Sequence, residues 1–271
     1  MRRPCLPWVW AALAPLWLCG LGPAWAHDSW FVPLPPTERG ERVLALGTGD
    51  RFPALETPLS MEQVAASGCH GAGQARPVPL RWLADRPTAV LLRTTRPLPE
   101  DAALSCWAQL LPQDIEIDDA TVEVYLSEIN AGQAVRARWQ ELRARGVRWR
   151  ERYTKHARIE LGAGPAGPAA APVLGLDVRL ESPTPLRAGD TLHAQVLRDG
   201  EPLAGQPVEL RSDLSTIGLW RRTDAEGRVS IPLPLAARWL LRGVDLRPSA
   251  TRADAWESRF VTLAFEVLPR R

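Results

Sequence analysis

The chain has 271 residues, 24% of them charged, with 33 basic and 31 acidic side chains and a formal net charge of +2. A balance this close to neutral argues against nucleic-acid binding, which calls for a strongly basic surface, and the length suits one large or two medium domains. Lys155 is the only lysine against 32 arginines, a compositional bias.

The first 26 residues read as a secretory signal peptide. Arg2 and Arg3 give a positive start, Trp8 to Leu21 is almost wholly apolar, and Ala24-Trp25-Ala26 is a small-x-small cleavage signature, so cleavage is expected after Ala26. The apolar run is about 14 residues, short of the roughly 20 needed to span a bilayer. No other long apolar run exists, which predicts an exported, periplasmic chain without a transmembrane segment once the leader is gone. Leu18 before Cys19, where a small residue would be expected, argues against a lipid anchor. Processing removes two arginines and leaves 31 basic and 31 acidic residues. It also leaves two cysteines, Cys69 and Cys106, which in an oxidising compartment most simply form one disulfide. Closing a loop of about 38 residues would stabilise by roughly 4 kcal/mol. A thiolate metal site using Cys69 with His70 is the competing reading, and oxidation in this compartment disfavours it.

From the new start, Ser29 to Val32 is a short apolar run stopped by Pro33, Pro35 and Pro36, which places it at a sheet edge. Arg42 to Leu46 alternates as a strand and is ended by Gly47 and Gly49. Residues 50–76 are rich in Pro, Gly and Ser and read as a long loop pinned by Cys69. Val78 to Leu83, Ala89 to Thr94 and Ser105 to Leu111 have strand character at antiparallel spacing, with Trp82 and Trp107 as core candidates. After an N-cap at Asp118 or Asp119, Val122, Leu126 and Ile129 repeat with helical period. Val135, Trp139 and Leu142 repeat it before a stop at Gly146. This predicts two short helices, about 118–146, packed on the first sheet. Nine basic residues against two acids between Arg136 and Arg158 fit a solvated helix face, or docking to anionic lipid or an acidic partner. Trp149 to Leu161 re-enters the sheet, with Tyr153, Lys155 and Ala157 on one face and Thr154, His156 and Arg158 on the other.

Residues 162–172 lack periodicity and read as a linker. Beyond it, strand candidates run at 174–180, 191–197, 206–211, 219–223, 228–232, 239–246 and 260–268, with turn signals at Asp199-Gly200 and Asp224 to Gly227. The fold class that follows is mainly β: two immunoglobulin-like or transthyretin-like β-sandwich domains, at 27–161 and 173–271, with a short helical insertion in the first.

Chemistry centres on His27, which cleavage after Ala26 would make the first residue. Its α-amine and imidazole Nδ1 can together chelate a transition metal such as nickel, cobalt or copper. His156 and His70 are the further ligand candidates; His193, between Leu192 and Ala194, faces solvent. The histidines show no short ligand spacing. There is no Gly-x-Ser-x-Gly elbow and no phosphate-cradling glycine loop with lysine. Tyr153 and Lys155 have no evident partner to shift their pKa values.

Several stretches, in order, resemble one family: His27-Asp28-Ser29-Trp30, Arg152-Tyr153-Thr154-Lys155-His156-Ala157, Gly200 to Gly205, Thr223 to Gly227, and Trp256-Glu257-Ser258-Arg259-Phe260. They are similar to an uncharacterised periplasmic family, a domain of unknown function associated with cobalt/nickel uptake and formerly labelled NikM-like. The resemblance covers most of the mature chain. It implies a soluble, two-lobed β-sandwich of the periplasm, acting as a metal carrier or as an accessory to a membrane metal-uptake system. It does not make this chain the permease, which would carry several apolar spans. The site residues it carries over are His27 and His156. The leading expectation is a non-enzymatic binding protein for a divalent transition metal. The alternatives are a copper-dependent oxidative enzyme built on the N-terminal histidine, and a structural module that binds a cell-envelope partner through exposed Trp220 or Trp256.

Overall fold

The computed structural model describes residues 27–57, 59–71, 76–101, 103–164 and 174–270. Residues 1–26, on which the expected signal peptide and the expected cleavage point at Ala26 fall, and most of the 162–172 linker lie outside them. The first half comprises β1 (Asp28–Leu34), β2 (Val43–Gly49), a 3-10 turn (Met61–Gln63), β3 (Val64–Gly71), β4 (Val78–Arg86), β5 (Ala89–Thr94), β6 (Leu104–Leu110), β7 (Gln113–Ile117), α1 (Asp119–Glu128), α2 (Gln133–Ala144) and β8 (Trp149–Leu161). The second comprises β9 (Leu176–Leu180), β10 (Leu186–Arg187), β11 (Thr191–Arg198), β12 (Glu201–Pro202), β13 (Pro207–Ser212), β14 (Ser215–Arg222), β15 (Arg228–Pro232), β16 (Ala237–Pro248) and β17 (Trp256–Leu268). The protein is mainly β, in sandwich-like layers, as the alternation predicts. Among the described residues no helix is long and apolar enough to cross a membrane.

One 13-stranded sheet runs in the order β1-β2-β5-β4-β3-β6-β8-β17-β16-β13-β14, with β7 paired to β8 and β10 to β17 off this path, and a four-stranded sheet of β12, β11, β15 and β9 covers part of it. The two halves therefore share a sheet. β8 of the first pairs in parallel with β17 of the second, from Trp256 opposite Glu151 to Ala264 opposite Ile159. Each half has its own core. The first gathers Trp30, Phe31, Leu44, Leu46, Leu92, Leu104 and Ile159, and Leu240 and Ala264 reach into it from the second half. The other core is built from Leu176, Val178, Leu192, Val208, Leu210, Leu241 and Leu263.

Three expectations change here. The helices do not cover the first sheet alone. Val122, Leu126, Trp139 and Leu142 pack with Trp149 of β8 and with Val244, Leu246, Trp256 and Phe260 of the last two long strands. The Trp149 and Trp256 rings stack at 4.8 Å, and large rings on adjacent parallel strands are what draws the helices across the junction. Asp118 caps α1 by accepting from Thr121 N at 2.8 Å, a bond that also holds its carboxyl below the usual range.

Residues 50–76 are not one long loop, and His70 is not in a loop. Val64–Gly71 is a strand paired with β6, with Cys69 opposite Cys106 and His70 opposite Ser105. Its small residues carry little β propensity. The pairing is supported instead by the disulfide between Cys69 and Cys106 and by the Trp107 indole lying close over Gly68. Finally, Trp82 is not core: it is 52% exposed, its N–H donating to Asp85 Oδ1 at 3.1 Å, whereas Trp107 is buried.

The arginine-rich run is largely neutralised by acids from elsewhere in the chain. Arg143 meets Asp119, Arg145 meets Asp254, Arg148 meets Glu116 and Arg152 meets Asp114. Among the described residues this leaves a solvated, paired face.

Candidate metal centre

The site begins with strand register. β1 pairs antiparallel with β2 so that Asp28 faces Gly49 and Ser29 faces Thr48. One step further out, that register sets His27 opposite Asp50. β2 is not ended by its glycines as expected. It continues through Gly49 because the 50–57 loop folds back onto it and needs the room. A Cβ at Gly49 would meet Ala54 O at 2.5 Å and Glu56 Oε2 at 3.2 Å. The loop is tied by Ala54 N to Arg51 O at 2.8 Å, and its end returns with Glu56 N and Thr57 N both donating to Thr48 O, at 2.8 and 2.9 Å. Glu56 Oε2 accepts from Asp50 N at 2.8 Å. Trp30, in edge contact with Phe52, donates to Pro53 O and holds the loop from below.

This folding places one donor atom each from His27, Asp50 and Glu56 within 4.8 Å of one another. His27 Nδ1 lies 3.0 Å from Asp50 Oδ1. The nitrogen is buried and the contact lacks hydrogen-bond geometry, so Nδ1 has no hydrogen-bond partner. A buried ring nitrogen without a hydrogen-bond partner, beside one carboxylate and on a residue grouped with a second, fits a small dication: imidazole and carboxylate oxygens are common ligands of zinc, nickel and cobalt at roughly 2.0–2.2 Å. An α-amine on His27 would add a second nitrogen on the same residue.

The first strand is clamped where it begins. The Asp28 carboxylate pairs with Arg242, and Ser29 Oγ meets Thr48 Oγ1 at 2.8 Å. Thr262 Oγ1 donates to Ser29 O and Lys155 Nζ to His27 O, both at 2.6 Å. Contrary to the expectation of no shift, burial pushes the Lys155 pKa down to about 8, with Asp28 and Glu151 opposing. It also raises that of Tyr153.

The three histidine candidates are not brought together. Lys155, one residue before His156, reaches the His27 carbonyl, and alternation along β8 turns His156 to the opposite face. There its Nδ1 lies 2.9 Å from Phe260 O, which requires the proton on Nδ1. Burial pushes its pKa down to about 4. His70 is buried on β3, away from the group, and both its nitrogens lack partners. His193 is exposed as expected and meets Ser230 Oγ. Among the described residues the donors beside His27 are carboxylates, so the second histidine that a copper oxygenase calls for is not in the group. Trp256, a candidate for an exposed partner surface, is buried. Asp50 and Glu56 escaped the sequence reading; extending the register of the first two strands by one residue would have pointed to Asp50.

No curated protein matches the chain. Among solved structures it is similar to a chimeric titin Z1Z2-Z1Z2 tandem functionalised with a GRGDS exogenous peptide from fibronectin, at 12% identity over 85% of this chain and 91% of that one, with a TM-score of 0.17. It is also similar to dimeric latent PorU from Porphyromonas gingivalis, at 8% identity over 88% of this chain and 20% of that one, with a TM-score of 0.17. At scores this low neither likeness bears on the architecture, which rests on the strand pairings. The family model described as a domain of unknown function, DUF4198, matches residues 24–244, most of the length, and the chain belongs to that family.

Proposed function

We propose that the mature chain is an exported, periplasmic binding protein for a divalent transition metal, nickel or cobalt foremost, and an accessory to a membrane metal-uptake system. The observation that carries the reading is the group of His27, Asp50 and Glu56 around a buried ring nitrogen that lacks a hydrogen bond. A signal peptidase cut after Ala26 would free the amine that completes a set of two nitrogens and two oxygens. In this role the protein performs no chemistry on the metal. Its clamped first strand holds the donors ready, so little ordering is left to oppose binding.

The test is calorimetric titration of nickel into protein beginning at His27, alongside Asp50→Asn and Glu56→Gln. Wild type should bind one ion, and each variant should bind at least roughly tenfold more weakly, the scale of losing one donor in a small site. Equal affinities in all three would refute the assignment.

A further inference from the structure

We propose that Lys155 is a positioning residue that decides how the N-terminal histidine chelates its cation. The inference rests on His27 being the metal-bearing terminus and adds the mode of binding.

An N-terminal histidine offers a dication two competing chelate rings. One closes through the α-amine and the residue's own carbonyl oxygen, the other through the α-amine and Nδ1. Both use the amine, so the carbonyl oxygen and the ring nitrogen compete for the adjacent coordination position. In this fold the carbonyl is already taken: Lys155 Nζ donates to His27 O at 2.6 Å. An ammonium there occupies the oxygen and repels a second cation from it. Nδ1, 3.0 Å from Asp50 Oδ1 on the residue that groups with Asp50 and Glu56, is the partner left for the amine.

The seat of the ammonium explains why the contact is specific. Nζ lies 5.2 Å from the Tyr153 ring centroid and 5.8 Å from that of Phe260. Two aromatic faces stabilise the charge while leaving its N–H bonds free to point at the carbonyl. Asp28 and Glu151 act on it through space. Asp28 is committed to Arg242, and Glu151 accepts from Tyr125 and Trp149. The peptide beyond is equally fixed, because Thr262 holds Ser29 O, so the His27 carbonyl cannot swing away from Lys155. An arginine, although it is the chain's usual cation, has a planar fork that would not reproduce a single-point donor in this seat.

The experiment uses protein beginning at His27, as wild type, Lys155→Met and Asp50→Asn. Copper(II) serves as the spectroscopic probe and nickel(II) as the calorimetric one, and thermal unfolding of each metal-free protein reports on the fold. For wild type the paramagnetic resonance spectrum should show a single copper species with amine and imidazole nitrogens bound. Lys155→Met should show a second species in which oxygen replaces the imidazole nitrogen. Its nickel affinity should fall by roughly ten- to a hundredfold, the usual scale for groups that orient metal ligands. If Lys155→Met does not fold, Lys155→Gln takes its place and is judged by the same two readouts.

A wild-type spectrum and a nickel affinity within about twofold of wild type, with binding still lost in Asp50→Asn, would overturn the role of Lys155 and leave the metal centre standing. Absence of binding in wild type, or undiminished binding in Asp50→Asn, would instead overturn the centre itself.

Discussion

The Asp28 carboxylate meets the Arg242 guanidinium across 214 residues of sequence, tying the first strand to the penultimate one in the interior. Arg242 also donates through Nε to Glu209 Oε2 at 2.9 Å and through Nη2 to Glu128 O at 2.6 Å. Burial works against its charge; Asp28 and Glu209 more than offset that, so its pKa is raised. Removing one partner of a buried pair leaves the other charge stranded, at a cost of about 3–5 kcal/mol. Because Glu209 remains, Asp28→Asn should lie near the lower end, about 3 kcal/mol less stable in urea denaturation at neutral pH. A midpoint equal to that of wild type would mean the pair does not hold the first strand.

A second prediction concerns pH. Burial raises the Glu160 pKa to about 7, against partial compensation by Arg158 and a hydrogen bond from Ser105. A carboxyl with a raised folded-state pKa favours folding while protonated. Its contribution is full below its ordinary value near 4.5 and is lost as pH climbs through 7. Glu160→Gln keeps an oxygen for Ser105 and removes the charge. It should match wild type near pH 4 and be more stable by up to about 3 kcal/mol at pH 8. His156 has the opposite sign: with a pKa lowered to about 4, it withdraws stability as pH falls from 6.5 through 4. The two therefore oppose each other in wild type, and the variant isolates Glu160. A stability difference that is the same at both pH values would exclude the mechanism.

Reduction gives a third. The Cys69–Cys106 disulfide spans 37 residues of sequence and supports a strand of small residues. Cys69→Ala with Cys106→Ala should lower stability by roughly 3–4 kcal/mol in the chain-entropy model. Hydrogen exchange should accelerate first in Val64–Gly71, whose packing depends most on the link. Uniform acceleration across the molecule would place the effect elsewhere.

What the sequence discloses of this fold follows from where its signals are local. Alternation in Thr191–Arg198 reflects one buried face, and the continuous apolar run of Ala89–Thr94 reflects a strand buried on both; both are strands. Val122, Leu126 and Trp139 repeat at helical spacing because one face of each helix is buried. The surface to which those helices dock is not local, being set by the Trp149–Trp256 stack between distant strands. β3 was hidden because alanine, serine and glycine leave no pattern, and its pairing comes from Trp107 and a cross-strand disulfide. Of the site, His27 was legible from its place after a cleavage signature. Asp50 and Glu56 were not, since pairing between two strands brings in the first and a fold-back loop the second. His156 was a misleading signal: beside Lys155 in sequence, it turns to the other face of the strand and bonds to Phe260 O.

Everything proposed for the metal depends on an amine freed beside Nδ1 of His27. The decisive measurement is nickel calorimetry on two proteins, one beginning at His27 and one carrying a single extra alanine before it, both confirmed by mass spectrometry. The extra residue turns the amine into an amide without touching Asp50, Glu56 or Lys155. The protein that starts at His27 should bind one nickel ion, and the extended one at least roughly a hundredfold more weakly, about 3 kcal/mol. Equal affinity in the two proteins would show that the amine is not a ligand and that the site has been misread.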